Sequence, residues 1–205
     1  MLHIIHNAKN EVRAERLKYE LQRQGITKFT IVDAEMAPEG TEHEERTQFI
    51  LRSHKKALSE GIFYNQGLKV NPGFVLIAED DIRMISPYAY HYFLQGMKLL
   101  PNDWDIYLGG IYTGVGMVNY EGYSKINQFF AGLQLYAVRE KFYDKYLNCS
   151  ANFHDTWLTK QNGGCAKTYV INPFAAIQYN GYSDQRKMVV NDDHHLKGFK
   201  VYGMD

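Results

Sequence analysis

The stretch Phe74-Val75-Leu76-Ile77-Ala78 is continuously apolar and runs straight into Glu79-Asp80-Asp81. Five apolar residues in a row, rich in β-branched side chains, suit a strand buried on both faces, as in the centre of a parallel sheet. Ligands of open α/β sheets bind beyond the carboxyl ends of such strands. The three acids therefore stand where chemistry is expected.

The flanking pattern agrees with α/β architecture. Leu2–Ile5 reads as a buried strand, Asn10 as a cap, and Glu11–Gln24 as a helix with Arg13, Leu17 and Leu21 on one face and Gly25 just past its end. Phe29–Val32 reads as a second strand, parallel to the first. A polar loop, Ala34–Glu42, precedes a helix over Glu44–Glu60 that Gly61 ends, and Asn65–Gly73 is turn-rich. Further on, Pro87–Leu100 reads as a helix and Asp105–Leu108 as a strand. Gly109–Gly122 holds five glycines and reads as a mobile loop, either a lid over substrate or ordinary surface. Phe130–Val138 is expected as a strand, Glu140–Leu147 and His154–Lys160 as helices, and Thr168–Ile171 as a strand stopped by Pro173. The tail from Gln178 is polar and has no clear period. A length of 205 residues suits one domain over 1–205.

Lys plus Arg and Asp plus Glu both number 23, so no net positive field draws the chain to nucleic acid or an anionic membrane. No apolar run approaches the roughly 20 residues of a membrane span. The start, Met1-Leu2-His3-Ile4-Ile5-His6, lacks the features of a signal peptide. Cys149 and Cys165 read as free thiols, and the expected location is the cytoplasm, with docking at a membrane through another protein still open. Asn148-Cys149-Ser150 matches a glycosylation sequon, which matters only in a secreted chain. The 16 tyrosines suit stacking on sugars or bases, or simply half-buried packing.

Glu79, Asp80 and Asp81 repel one another unless a counter-charge is present. Hard carboxylate oxygens suit Mn²⁺ or Mg²⁺, which also bind diphosphate oxygens, so the triplet reads as a metal clamp on a nucleotide diphosphate. The competing reading is an acidic turn that caps a helix after it. Gly109, Gly110, Gly114 and Gly116 make no P-loop, because no Gly-Lys-Ser/Thr follows, and Asn119 stands where a dinucleotide fingerprint needs glycine. Asp192-Asp193-His194-His195 is metal-like in composition, but neighbouring residues of an extended chain rarely converge on one ion, so a solvated tail is favoured.

Several segments resemble glycosyltransferase family 25, the lipopolysaccharide and collagen β-galactosyltransferase type. These are Ile5-His6-Asn7 through Arg13-Ala14-Glu15-Arg16-Leu17, Val32-Asp33-Ala34, Arg52-Ser53-His54-Lys55-Lys56-Ala57-Leu58, Val75–Ile82 and Asp103–Gly109. Weaker echoes are Gln134–Val138, His154–Leu158 and Tyr182-Ser183-Asp184. The resemblance implies a GT-A-like single domain with a mostly parallel central sheet flanked by helices, a UDP-sugar donor, a glycan or glycoprotein acceptor, a divalent metal and inversion at the anomeric carbon. It implies Asp81 as metal ligand with Glu79 or Asp80 second. Nucleotide-sugar contacts fall to His6, where the family usually has Asn, and to Arg13, Asp33, Ser53 and His54. Asp155 is the candidate general base, and Asp184 and His194 are candidates for an acceptor contact or a third metal ligand.

Two other functions compete. A nucleotidyltransferase or phosphohydrolase could use the same acids, but usually adds a second metal and a cationic clamp, and only Arg83 is close in sequence. A sugar-binding module would not need three acids after a buried strand.

Overall fold

In the computed structural model, residues 1–150, 158, 166–183 and 188–190 are described. The chain opens as β1 (Leu2–His6), α1 (Glu11–Arg23), β2 (Phe29–Asp33), α2 (His43–Gln66) and β3 (Phe74–Glu79). β1 pairs in parallel with β2 and with β3, as the strand–helix–strand pattern predicts. The Asn10 side chain accepts the Arg13 backbone N–H and caps α1, and Gly25, at φ +63°, follows its end. β4 (Ile82–Met84), α3 (Ala89–Gly96), β5 (Ile106–Leu108), β6 (Thr113–Tyr120), β7 (Tyr123–Ala131), β8 (Leu135–Arg139) and α4 (Tyr143–Leu147) come next. The remaining strands are β9 (Thr168–Ile171), β10 (Ala176–Gln178), β11 (Gly181–Ser183) and β12 (Met188–Val190).

Eight strands form one sheet in the order β2-β1-β3-β8-β5-β9-β7-β6. It is parallel through its first three strands, β8 runs antiparallel between β3 and β5, and β9 is parallel to β5. Alternate residues of β3 enter two cores. Leu76 and Ala78 pack with Leu17 and Leu21 of α1 and Phe93 of α3, while Val75 and Ile77 pack with Ala57 and Leu58 of α2 and Tyr146 of α4. Helices thus cover both faces of the sheet, which is why β3 reads as apolar throughout rather than alternating.

Several expected boundaries move. Gly61 does not end α2; it lies inside the helix where a Cβ would come 2.3 Å from Cγ1 of Val75, so glycine marks a close helix–sheet approach. Pro87–Leu100 is a shorter helix, α3, followed by a 3₁₀ turn over Met97–Leu99. Gly109–Gly122 is not a mobile loop: most of it is β6, hairpinned to β7 through Glu121-Gly122. Gly116, at φ +69°, occupies the register shift between Val115 and Met117, and Gly122, at φ +80°, occupies the turn. These glycines mark a bulge and a hairpin turn within residues of good β propensity. Phe130–Val138 divides at Gly132, φ +111°, into the end of β7 and the start of β8. The region after Gln178, without a visible period, holds the β11–β12 hairpin. The helix expected at His154–Lys160 lies, Leu158 apart, outside the described residues.

Candidate functional site

Glu79 closes β3, and Asp80-Asp81 form the turn into β4. β1 ends alongside at His6, in register with Asp33 at the end of β2. β8 begins at the same edge, and the Gln134 carbonyl accepts the Glu79 backbone N–H at 3.1 Å. The parallel pairing of β1 with β3 therefore gathers His6, Asp33 and the acids at one edge of the sheet.

Asp80 is almost fully enclosed by donors. Its Oδ2 accepts from the Asn7 backbone N–H at 3.1 Å and lies 2.8 Å from Nδ1 of His6, while Oδ1 accepts from Nη1 of Arg13 at 2.6 Å. The same Nη1 stands 3.3 Å from Oδ2 of Asp81, which also accepts from Nε2 of Gln178 at 2.7 Å. A counter-charge to the acids is thus Arg13, 67 residues away in sequence. The Arg83 guanidinium lies 5.9 Å from the Tyr179 ring. Oδ1 of Asp81 is buried and has no hydrogen-bond partner among the described residues. Burial, with help from the Glu79 charge, pushes the Asp81 carboxyl up to about 7.

Glu79 is anchored differently. Its Oε1 lies 3.1 Å from Nε2 of His54, a residue of α2 that is 2 % exposed. Nδ1 of His54 is 2.7 Å from the Tyr136 hydroxyl, itself 2.7 Å from the Tyr146 hydroxyl. Burial holds both phenols well above their ordinary range, so they stay protonated. A carboxylate only accepts, so Nε2–H donates to Glu79; with a neutral imidazole Nδ1 then accepts from Tyr136, and Tyr136 accepts from Tyr146. Every donor in this buried chain points towards Glu79.

Ser53 accepts the Glu35 backbone N–H at 2.8 Å and donates to the Phe49 carbonyl at 2.9 Å, tying the loop after β2 to α2. Asp33 is exposed, and its carbonyl accepts from Nζ of Lys56 at 3.2 Å. Asp155, Asp184 and His194 lie outside the described residues. Gln178 and Tyr136 were not legible as partners of the site: one lies in a segment without a period and the other inside a strand. Both are found only through contacts across 97 and 82 residues.

Among the described residues, no three His, Cys, Asp or Glu side chains group as a metal shell. Small hard cations commonly take only one or two carboxylates and complete their shell with water and phosphate oxygens. The unpartnered Oδ1 of Asp81, with Glu79 beside it on the half-open rim, fits that smaller donor set.

Fold and site together define an α/β protein with a carboxylate-rich site at the carboxyl edge of its sheet. No family model matches the chain, and no curated relative matches it by sequence. Among solved structures it is similar to A197 from STIV, with 12% identity, a TM-score of 0.55 and coverage of 92% of this chain and 91% of that one. That likeness is one of fold. The chain also aligns with a glycosyltransferase involved in glycosylation of the major capsid of PBCV-1, at 12% identity, TM-score 0.44 and coverage of 96% and 98%. A third likeness, at 12% identity, TM-score 0.43 and coverage of 97% and 96%, is to the inositol-1-phosphate CTP transferase from T. maritima. At those two TM-scores neither alignment carries weight. No described helix is long and apolar enough to cross a membrane.

Proposed function

We propose that this protein is a metal-dependent inverting glycosyltransferase that moves a hexose from a UDP-sugar to a hydroxyl of a glycan or glycoprotein. The observation that carries the reading is the buried, unpartnered Oδ1 of Asp81 beside Glu79 at the carboxyl edge of the sheet. The ordered resemblance to glycosyltransferase family 25 supports the choice of chemistry. Asp81 and Glu79 would hold Mn²⁺ or Mg²⁺, which when bound neutralises charge on the diphosphate. Arg13 holds Asp80 and Asp81 in position, and the His54–Tyr136–Tyr146 chain fixes the Glu79 carboxylate. His6 and Asp33 end neighbouring strands on the side assigned to the nucleotide, and Ser53 braces the loop above them.

Asp155 is assigned the proton: its carboxylate takes it from the acceptor hydroxyl as that oxygen bonds to the anomeric carbon. The bond from that carbon to the diphosphate breaks on the opposite face, and UDP leaves with the electron pair. Asp184 and His194 are assigned to acceptor or metal contact.

Titration calorimetry with UDP, with and without Mn²⁺, tests the reading. Binding is expected only with the metal, and Asp81→Asn is expected to lose it while keeping its fold. Equal UDP binding by that variant in Mn²⁺ overturns the metal assignment. Asp155→Asn is expected to slow transfer by about 10²–10⁴ and to spare UDP-sugar affinity.

A further inference from the structure

On one side the sheet ends at β2, whose only neighbour among the described residues is β1. Two flanking bonds fix which way its backbone points. The Leu2 N–H donates to the Lys28 carbonyl at 3.1 Å, and the Ala34 N–H to the His6 carbonyl at 2.9 Å. With the parallel register that runs from Leu2↔Phe29 to His6↔Asp33, Thr30 and Val32 bond inward to β1. The N–H and C=O groups of Phe29, Ile31 and Asp33 therefore point outward. The Asp33 carbonyl accepts from Nζ of Lys56, while the outward groups of Phe29 and Ile31 have no partner among the described residues. Such a row is a template for another strand.

The two edges of the sheet differ. At the far edge, β6 carries its register shift between Val115 and Met117, and a bulge of this kind spoils edge pairing. β2 has no register shift, no proline and no lysine, and its single charge, Asp33, is its last residue. Its outward residues are apolar where an edge is usually charged: Phe29 is 39% exposed and Ile31 40%. Both stand on one face of the sheet, in register with the core residues Leu2 and Ile4. Polar, exposed Thr27 and Asp33 flank them at the same alternation.

We propose that β2 pairs antiparallel with β2 of a second copy of this chain, about a two-fold axis at Thr30. An antiparallel ladder joins outward groups to outward groups, so the central registers are those whose axis falls at Thr30, Ile31 or Val32. An axis at Ile31 sets Phe29 against Asp33, and an axis at Val32 sets Ile31 against Asp33. An axis at Thr30 sets Phe29 against Ile31 twice and Thr27 against Asp33 twice, so apolar meets apolar and polar meets polar. An aromatic ring opposite a β-branched side chain is a favourable cross-strand pair, and the symmetry repeats it. The pairing joins two eight-stranded sheets and turns their carboxyl edges in opposite directions. It does not rest on the proposed transferase activity.

Sedimentation equilibrium of the full chain from about 1 to 100 μM covers the affinities that small interfaces reach. A reversible dimer is expected. Ile31→Lys, an exposed change, is expected to raise its dissociation constant by at least about tenfold, because the axis doubles the lost contact. A chain that stays monomeric throughout, or a dimer that Ile31→Lys leaves intact, overturns the proposal. Should Ile31→Lys not fold, Phe29→Lys replaces it with the same two outcomes. Cross-linking under mild oxidation reads the register. Thr30 at the axis forms a non-hydrogen-bonded pair with Cα atoms about 4.5 Å apart, within reach of a disulfide. Thr30→Cys is expected to form an intermolecular disulfide. Lys28→Cys is expected not to, because its two copies stand four residues out of step, roughly 13 Å along the strand. Cross-linking of both variants at one rate, or of neither, overturns the proposal.

Discussion

Arg13 and Asp80 form an ion pair of 2.6 Å that joins the first turn of α1 to the turn after β3. The Asp80 side chain is 5% exposed and the Arg13 side chain 18%, so water screens the pair poorly. Because Asp81 is also within 3.3 Å of the same nitrogen, one guanidinium balances two adjacent carboxylates.

Removing Arg13 leaves those charges in place without their cation. Arg13→Met is expected to destabilise the protein by roughly 3 kcal/mol, the scale for breaking a buried pair from one side. Arg13→Met with Asp80→Asn is expected to recover part of the loss. Urea denaturation of the four proteins of this cycle measures it. A loss below about 0.5 kcal/mol for Arg13→Met places the pair with ordinary surface salt bridges.

The His54 tautomer is the next expectation. With Glu79 able only to accept, the proton belongs on Nε2 in the folded protein. Long-range nitrogen–proton NMR on histidine should show that tautomer. Tyr136→Phe is expected to weaken its dominance and to destabilise the fold by about 1–3 kcal/mol. A proton found on Nδ1 of wild-type His54 reverses the direction assigned to the chain.

His3 predicts a pH dependence of stability. Its pKa is about 4 in the fold and about 6.5 in an unfolded chain. Between those values the unfolded state binds the proton and the folded state does not, so this contribution is present above pH 6.5 and is lost as pH falls through 4. The loss is roughly 2 kcal/mol, allowing for partial screening by solvent. His3→Gln cannot take up that proton, so its urea midpoint should fall less than that of wild type between pH 7 and pH 4.5. Parallel falls mean that His3 is not held neutral by burial.

Gly61 tests the helix–sheet contact. Alanine improves helix propensity by about 1 kcal/mol, but its Cβ would approach Val75 to 2.3 Å. Overpacking of that degree costs about 1–3 kcal/mol. Gly61→Ala is therefore expected to lower stability on balance, and Gly61→Ala with Val75→Ala to relieve the strain. Thermal melts of both decide it, and a stabilised single variant shows that β3 shifts freely.

What the sequence made legible was local. The apolar run of β3, the Asn10 cap and the acids at a strand end each follow from neighbouring residues, and all stand in the structure. Glycine was harder to interpret. Gly116, Gly122 and Gly132 look alike in sequence, yet one sits in a bulge, one in a hairpin turn and one in a break between strands. Gly61 looks like a helix stop until Val75 is brought against it. The site was half visible for the same reason: Arg13, Ser53 and His54 lie on segments with their own pattern. The partner of Asp81 comes from a segment whose only order is its pairing with β4.

The Gln178–Asp81 hydrogen bond also has a consequence for how the molecule is made. Synthesis runs from the amino end, so His6, Arg13 and the acids leave the ribosome long before Gln178. Tyr179 follows directly, its backbone N–H bonded to the Asp81 carbonyl and its hydroxyl to the buried Glu20. A nascent chain therefore carries its carboxylates through a further 97 residues of elongation with one wall of their enclosure missing. The site closes only when β10 adds to β4.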